Sequence, residues 1–203
     1  MELRKRLENL NLPPYVRLVA VTKTFPVETI IKCIDAGIRE IGENYVQEAE
    51  KKFAIIGNKV KWHMIGHLQR NKAKKAVKIF DMIQTVDSYK IAEKINDECL
   101  KIGKIMPVLV QVNVSGDKFG IDPEEVHIFL KELSAFENIR VKGLMCIASF
   151  SKPRDDFRRM KSIFDKTGLE ILSMGMSDDY KIAIEEGSNM VRIGRALFGE
   201  RLN

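Results

Sequence analysis

The stretch LVAVTKTFPVETIIKCIDAGIREIGEN, Leu18 to Asn44, holds one complete strand–helix–strand unit. Leu18 to Thr22 is a short run of apolar, β-favouring residues. Glu28 to Ala36 carries Ile30, Ile31 and Ile34 at helical spacing and stops at Gly37, and Arg39 to Asn44 is β-rich again. The first run ends in Lys23, although lysine is among the residue types least often buried without a reason.

The same alternation continues to the end of the chain. Further β-rich runs lie at 61–66, 82–87, 107–113, 141–147, 170–175 and 190–194, which makes eight. Between them Tyr45, Ala49 and Phe53 share a helical face, as do Ile91, Ile95 and Ile102 ahead of Gly103. Asp122-Pro123-Glu124-Glu125 reads as an N-cap, a proline at the first helical position and a capping-box glutamate. Phe157, Met160 and Phe164 mark another helix, and Asp178 to Glu186, stopped by Gly187, the next. Eight strand–helix units with mostly apolar strands predict a parallel sheet closed into an α/β (β/α)8 TIM barrel, one domain over 1–203, preceded by an extra helix at Glu2–Leu10. No GxGxxG follows the first run, which argues against a dinucleotide-binding sheet.

Composition narrows the function classes. The 203 residues, 45% of them hydrophobic, suffice for one core. Cys33, Cys99 and Cys146 lie far apart in apolar or helical contexts, so neither a disulfide framework nor a CxxC clip is expected. The charged N-terminus has no apolar h-region and no segment reaches the roughly 18 apolar residues of a span, which predicts a cytoplasmic protein without a membrane partner. The net charge of +6 is dispersed except in RNKAKKAVK, Arg70 to Lys78, read as a solvated helix face, with a partner surface as the alternative; no aromatic residues interleave there, so nucleic acid is not expected.

In such a barrel the site lies at the C-terminal strand ends. Those ends deliver Lys23, Asn44, His63 with His67, Asp87, Asn113, Met145 with Ser149, Ser173 with Ser177, and Arg192 with Gly194. A lysine desolvated at a strand end becomes a candidate Schiff-base amine, whereas one that snorkels to the rim or pairs with Asp87 or Glu43 is structural. Leu172 to Gly199 places Ser177 at one helix start and Gly194 with Arg195 at another, at the corner where such barrels bind phosphate. An aldehyde-seeking lysine facing a phosphate corner points to pyridoxal 5′-phosphate. Arg192, on the inward alternation of the last strand, suits the pyridine nitrogen, and being always protonated it weakens the ring as an electron sink. His63 and His67 lack the spacing and the accompanying carboxylate of a metal pair, so no metal is expected; one is read as a rim histidine and the other as core or site-lining.

AVTKTFP (20–26), GENYVQE (42–48), WHMIGHLQRNK (62–72), GLMCIAS (143–149), LSMGMSDD (172–179) and MVRIGRALFG (190–199) together resemble the pyridoxal phosphate homeostasis proteins (the YggS/PROSC type), which are similar to the N-terminal barrel of fold-type III enzymes such as alanine racemase. The resemblance implies the cofactor lysine at Lys23, phosphate ligands at Ser177, Gly194 and Arg195 through backbone N–H groups, Arg192 at the ring nitrogen, and Asn44, Met145 and Ser149 lining the pocket. Position 195 is threonine in many relatives; arginine removes a hydroxyl but keeps the backbone donor. The resemblance further implies a non-catalytic role in vitamin B6 balance, holding the cofactor as a Schiff base and passing it to apo-enzymes, with a monomer expected. The chain ends at Asn203, after the last barrel helix, so the second domain that supplies racemases with a base on the opposite cofactor face is not expected. The enzyme alternatives are a small racemase or a Schiff-base aldolase.

Overall fold

The computed structural model describes residues 2–116 and 119–199. In chain order the elements are α1 (Glu2–Asn9), β1 (Arg17–Val21), α2 (Val27–Asp35), β2 (Glu40–Glu43), α3 (Val46–Ile56), β3 (Lys61–Met64), α4 (Ala73–Ile79), β4 (Met82–Val86), α5 (Tyr89–Leu100), β5 (Met106–Gln111), α6 (Val126–Leu133), β6 (Ile139–Met145), α7 (Pro153–Phe164), β7 (Ile171–Ser173), α8 (Tyr180–Glu185), β8 (Met190–Ile193) and α9 (Arg195–Phe198). All eight expected strands form, and they close into one parallel barrel in sequence order. Closure is the pairing of β1 with β8, with Arg17 opposite Met190, Leu18 opposite Val191, Val19 opposite Arg192 and Ala20 opposite Ile193.

Strand side chains alternate in direction, so each strand serves two cores. Val19, Met82, Leu109, Met145, Ile171 and Met190 pack together inside the bore. Ala20, Ile41, Trp62, Ile83, Val110, Leu144, Leu172 and Val191 face outward against the helices. Covering both faces is why the strands read as nearly continuous apolar runs.

Two helix starts differ from the sequence expectation. The Asp122 carboxylate accepts a hydrogen bond from the Glu124 N–H at 2.9 Å, but this closes a turn, and α6 begins only at Val126. Residues 177–179 likewise form a turn before α8, with Asp179 Oδ1 accepting from the Met176 N–H at 2.6 Å. In both places an aspartate satisfies nearby backbone in a turn, the competing use of a short polar side chain. The basic run Arg70 to Lys78 behaves as expected: Ala73, Ala76 and Val77 are buried and the lysines at 74, 75 and 78 exposed. The three thiols are buried; burial pushes Cys33 and Cys146 up to about 12 and Cys99 to about 11, so all three stay protonated. Among the described residues no helix is long and apolar enough to cross a membrane.

At the N-terminal end of the bore, Arg17 donates twice to Glu40, at 3.1 Å and 2.8 Å. His63, placed by the sequence at a strand end, instead points into the bore. Its Nε2 lies 3.1 Å from Glu40 Oε2, a close approach at an angle poor for a hydrogen bond. Burial pushes the Glu40 carboxyl up, yet the contacts with His63 and Arg17 outweigh it and hold the group at about 2, below the ordinary 4.5.

A carboxyl with a depressed pKa contributes stability that is present above its unfolded pKa and lost as the proton binds. The stability advantage of the wild type over Glu40→Gln, followed by thermal melting, therefore shrinks as pH falls from 4.5 towards about 2. Packing sets a second limit: a Cβ added at Gly143 on β6 would stand 1.8 Å from the Ile171 carbonyl oxygen. Gly143→Ala should cost about 2–3 kcal/mol in urea unfolding by forcing β6 and β7 apart.

Candidate functional site

Lys23 sits half-buried in the turn just after β1, and both its neighbours are tied down. The Thr22 hydroxyl donates to Glu43 Oε1 at 2.6 Å, and Lys52 Nζ donates to the Thr22 carbonyl at 2.7 Å. The same ammonium donates to Glu43 Oε1 and to Glu48 Oε1, each at 2.7 Å. Glu48 Oε1 in turn accepts from the Thr24 N–H at 2.5 Å. Thr24 has φ +66°, a left-handed conformation that a β-branched residue adopts only when its surroundings enforce it. One buried ammonium thus holds the backbone on each side of Lys23.

The Glu43 side chain is wholly buried, and among the described residues its Oε2 has no hydrogen-bond partner. Burial pushes its carboxyl up, against the pull of Lys52 and Thr22. Sequence reading missed this cluster. The available signal was Lys52 itself, which falls on the buried stripe of α3 with Val46, Ala49 and Ile56.

Across the barrel seam, Gly194 follows β8. A Cβ there would meet the Val21 side chain and carbonyl oxygen at 3.4 Å, so this glycine lies beside the end of β1. Ser177 is in a turn and does not cap α8; its Oγ accepts the Ala196 N–H at 3.2 Å, which draws the loop after β7 onto the start of α9. Arg195 turns its guanidinium to Asp178. Phe25 packs on Phe198 with ring centroids 5.2 Å apart, joining the Lys23 turn to α9.

Arg192 enters from β8 and is only 4% exposed. Its Nη1 donates to the Ser173 carbonyl at 2.9 Å and hydroxyl at 2.7 Å, and its Nη2 to the Cys146 carbonyl at 2.8 Å. Among the described residues its Nε–H has no acceptor. Burial pulls the guanidinium pKa down, partly offset by Asp179 and Cys146, and arginine stays charged at neutral pH regardless.

The remaining residues divide. Asn44 follows β2, and its backbone packs so tightly on Gly66 that a Cβ there would lie 2.5 Å from the Asn44 carbonyl oxygen; two of the six motifs meet at this contact. Met145 is fully buried within the bore. The Ser149 hydroxyl donates to Asp156 Oδ2 at 2.6 Å, and its N–H to the same oxygen at 2.7 Å, so its side chain anchors the start of α7. His67 lies beyond β3, 3.1 Å from Asp87 Oδ2 and stacked on Phe119 at 4.2 Å. The mouth thus gathers the turn that carries Lys23, the buried Arg192 guanidinium and a hydroxyl–amide corner, a set that suits a phosphorylated ligand.

Comparison with known proteins gives four results. Residues 3–202 match the family described as alanine racemase, N-terminal domain. A pyridoxal phosphate homeostasis protein of Pasteurella multocida (strain Pm70) is 40% identical over 205 aligned positions, covering 92% of this chain and 87% of that one. The structure of PipY of Synechococcus elongatus PCC7942 with PLP bound superposes with a TM-score of 0.91 at 36% identity, covering 97% of this chain and all of that one. An alanine racemase of Clostridium difficile, 19% identical with a TM-score of 0.84, covers this whole chain with 57% of its own length and shares the fold.

The cluster behind Lys23 predicts its own energetics. Lys52→Met strands the buried Glu43 charge and should cost about 3–5 kcal/mol, whereas pairing it with Glu43→Leu recovers most of that loss, because a buried ion pair replaced as a unit by apolar residues is close to neutral. Urea unfolding of the two single variants and the double variant reads both outcomes.

Proposed function

Since the chain belongs to the alanine racemase N-terminal domain family and, within it, to the pyridoxal phosphate homeostasis proteins, we propose that it binds pyridoxal 5′-phosphate at the barrel mouth and holds it covalently on Lys23. Bound there, the cofactor supplies an aldehyde that condenses reversibly with an amine, a C=N bond replacing C=O with release of one water. The observation that carries this assignment is Gly194 lying beside Val21, which sets the hydroxyl–amide corner next to the end of the strand that leads into the Lys23 turn.

Each residue has a part in this reading. The Lys52 cluster holds the turn so that the Lys23 amine faces the mouth, as the strand alternation directs. The Ser177 hydroxyl and the N–H groups of Gly194 and Arg195 take the phosphate. The spare Nε–H of Arg192 donates to the ring nitrogen and, since arginine does not give up its proton, leaves that nitrogen unprotonated. Asn44 and Met145 shape the wall and floor.

The role is storage and delivery to enzymes that lack the cofactor, by a monomer. The protein makes no use of the bound ring for turnover. Release would consume one water and return the Lys23 amine, so it would need no co-reactant other than water.

Titration with pyridoxal phosphate should therefore give a one-to-one complex with imine absorbance. Lys23→Ala should abolish that absorbance while keeping weaker, phosphate-driven binding. Ser177→Ala should weaken binding about tenfold, the effect of one lost hydrogen bond to a charged group. Single amino-acid enantiomers incubated with the complex should racemise no faster than with free pyridoxal phosphate; faster turnover would replace storage with catalysis.

A further inference from the structure

We propose that His63 and Gln84, deep in the bore, are positioning residues for Arg192, acting through a chain of hydrogen bonds in which each donor from Arg192 to Gln84 points towards His63. The inference rests on the assignment of Arg192 to the cofactor's ring nitrogen and adds the residues that make Arg192 serve there.

The direction of the chain follows from chemistry. A guanidinium only donates, so Ser173 Oγ accepts from Arg192 Nη1 at 2.7 Å. The Ser173 hydrogen is then turned to Gln84 Oε1 at 2.7 Å, across the bore between β7 and β4. That contact fixes the amide with its oxygen towards Ser173 and its NH2 towards His63 Nδ1 at 3.0 Å, and the same nitrogen reaches Met190 Sδ at 3.3 Å. His63 Nδ1 accepts there, so the ring carries its hydrogen on Nε2, on the side where Glu40 Oε2 lies 3.1 Å away. Arg17 completes the series by donating to both Glu40 oxygens. The series thus runs from a cation at the mouth to an ion pair at the opposite end of the barrel.

Ser173 and Gln84 are wholly buried and His63 is 1% exposed, so water does not replace a lost partner. If Gln84 loses its hold on His63, its amide is free to reverse, presenting NH2 to Ser173. The Ser173 hydrogen then has no acceptor there, and the hydroxyl that orients Nη1 is released. Arg192 keeps its two carbonyl contacts, so the guanidinium stays in place but loses the third contact that fixes its plane and the aim of its Nε–H. An apolar bore would pack as well, which makes the polar series a device of orientation.

The test uses the full chain loaded with pyridoxal phosphate labelled with 15N in the ring. Its readouts are the ring-nitrogen chemical shift, the affinity for pyridoxal phosphate and the melting temperature of the unloaded protein. Gln84→Met and His63→Leu should each move the ring-nitrogen signal and weaken binding about tenfold. His63→Asn, which keeps an acceptor near the Nδ1 position, should return both to near the wild-type values. A purely structural role would lower the melting temperature and leave the ring signal where it is in the wild type, and that result overturns the inference. Should Gln84→Met fail to fold, Gln84→Asn breaks the same contacts while retaining an amide, and an unmoved signal there counts equally against it. Wild-type protein that forms no complex refutes the cofactor assignment and this inference with it; a wild-type complex whose ring signal ignores Gln84 and His63 refutes the inference alone.

Discussion

The pairing of β1 with β8 brings the two ends of the chain together, and the composition of the mouth depends on it. Without that seam Lys23 and the corner at 194–196 are separated by more than 170 residues of sequence; with it, Gly194 touches Val21 and Phe198 packs on Phe25. Contacts of such sequence separation reward the chain only after a large loop entropy has been met, so the site forms when the barrel closes and not before. The local clamps, Lys52 behind Lys23 and Ser177 on Ala196, then adjust positions that closure has already brought within reach.

Charge inside this barrel is arranged for geometry more than for stability. Lys52 with Glu43 and Arg192 with its carbonyl and hydroxyl acceptors are buried groups whose desolvation roughly offsets what their partners return. What they supply is a fixed direction: a left-handed Thr24 held open by Glu48, and a guanidinium held on one side by carbonyls with Nε–H left over. Both lie where a reactive group needs a defined aim, the pattern expected of preorganised sites.

The architecture was legible because strand periodicity is local. Each of the eight apolar runs became a strand, and alternation put Arg192 on the inner side of the last one. The helix starts at Asp122 and Asp178 were less legible, since an aspartate closing a turn and one capping a helix carry the same local signal. The Glu43–Lys52–Glu48 cluster and the Gln84–His63 contact were not legible, because each joins residues of different elements through pairings that only the barrel register decides. His63 shows the limit plainly: its sequence neighbourhood placed it near a strand end, and its structural neighbours, Glu40 and Gln84, come from the strands on either side.

The claim on which the rest hangs is that Lys23, among the many lysines of a basic chain, is the one that holds pyridoxal phosphate. Borohydride reduction of the loaded protein, which makes the link permanent, followed by peptide mapping by mass spectrometry measures this directly. One cofactor per chain on the peptide containing Lys23, and no label in the Lys23→Ala variant, is the predicted result. Label spread over exposed lysines such as Lys74 and Lys78, or carried unchanged by the variant, would contradict it.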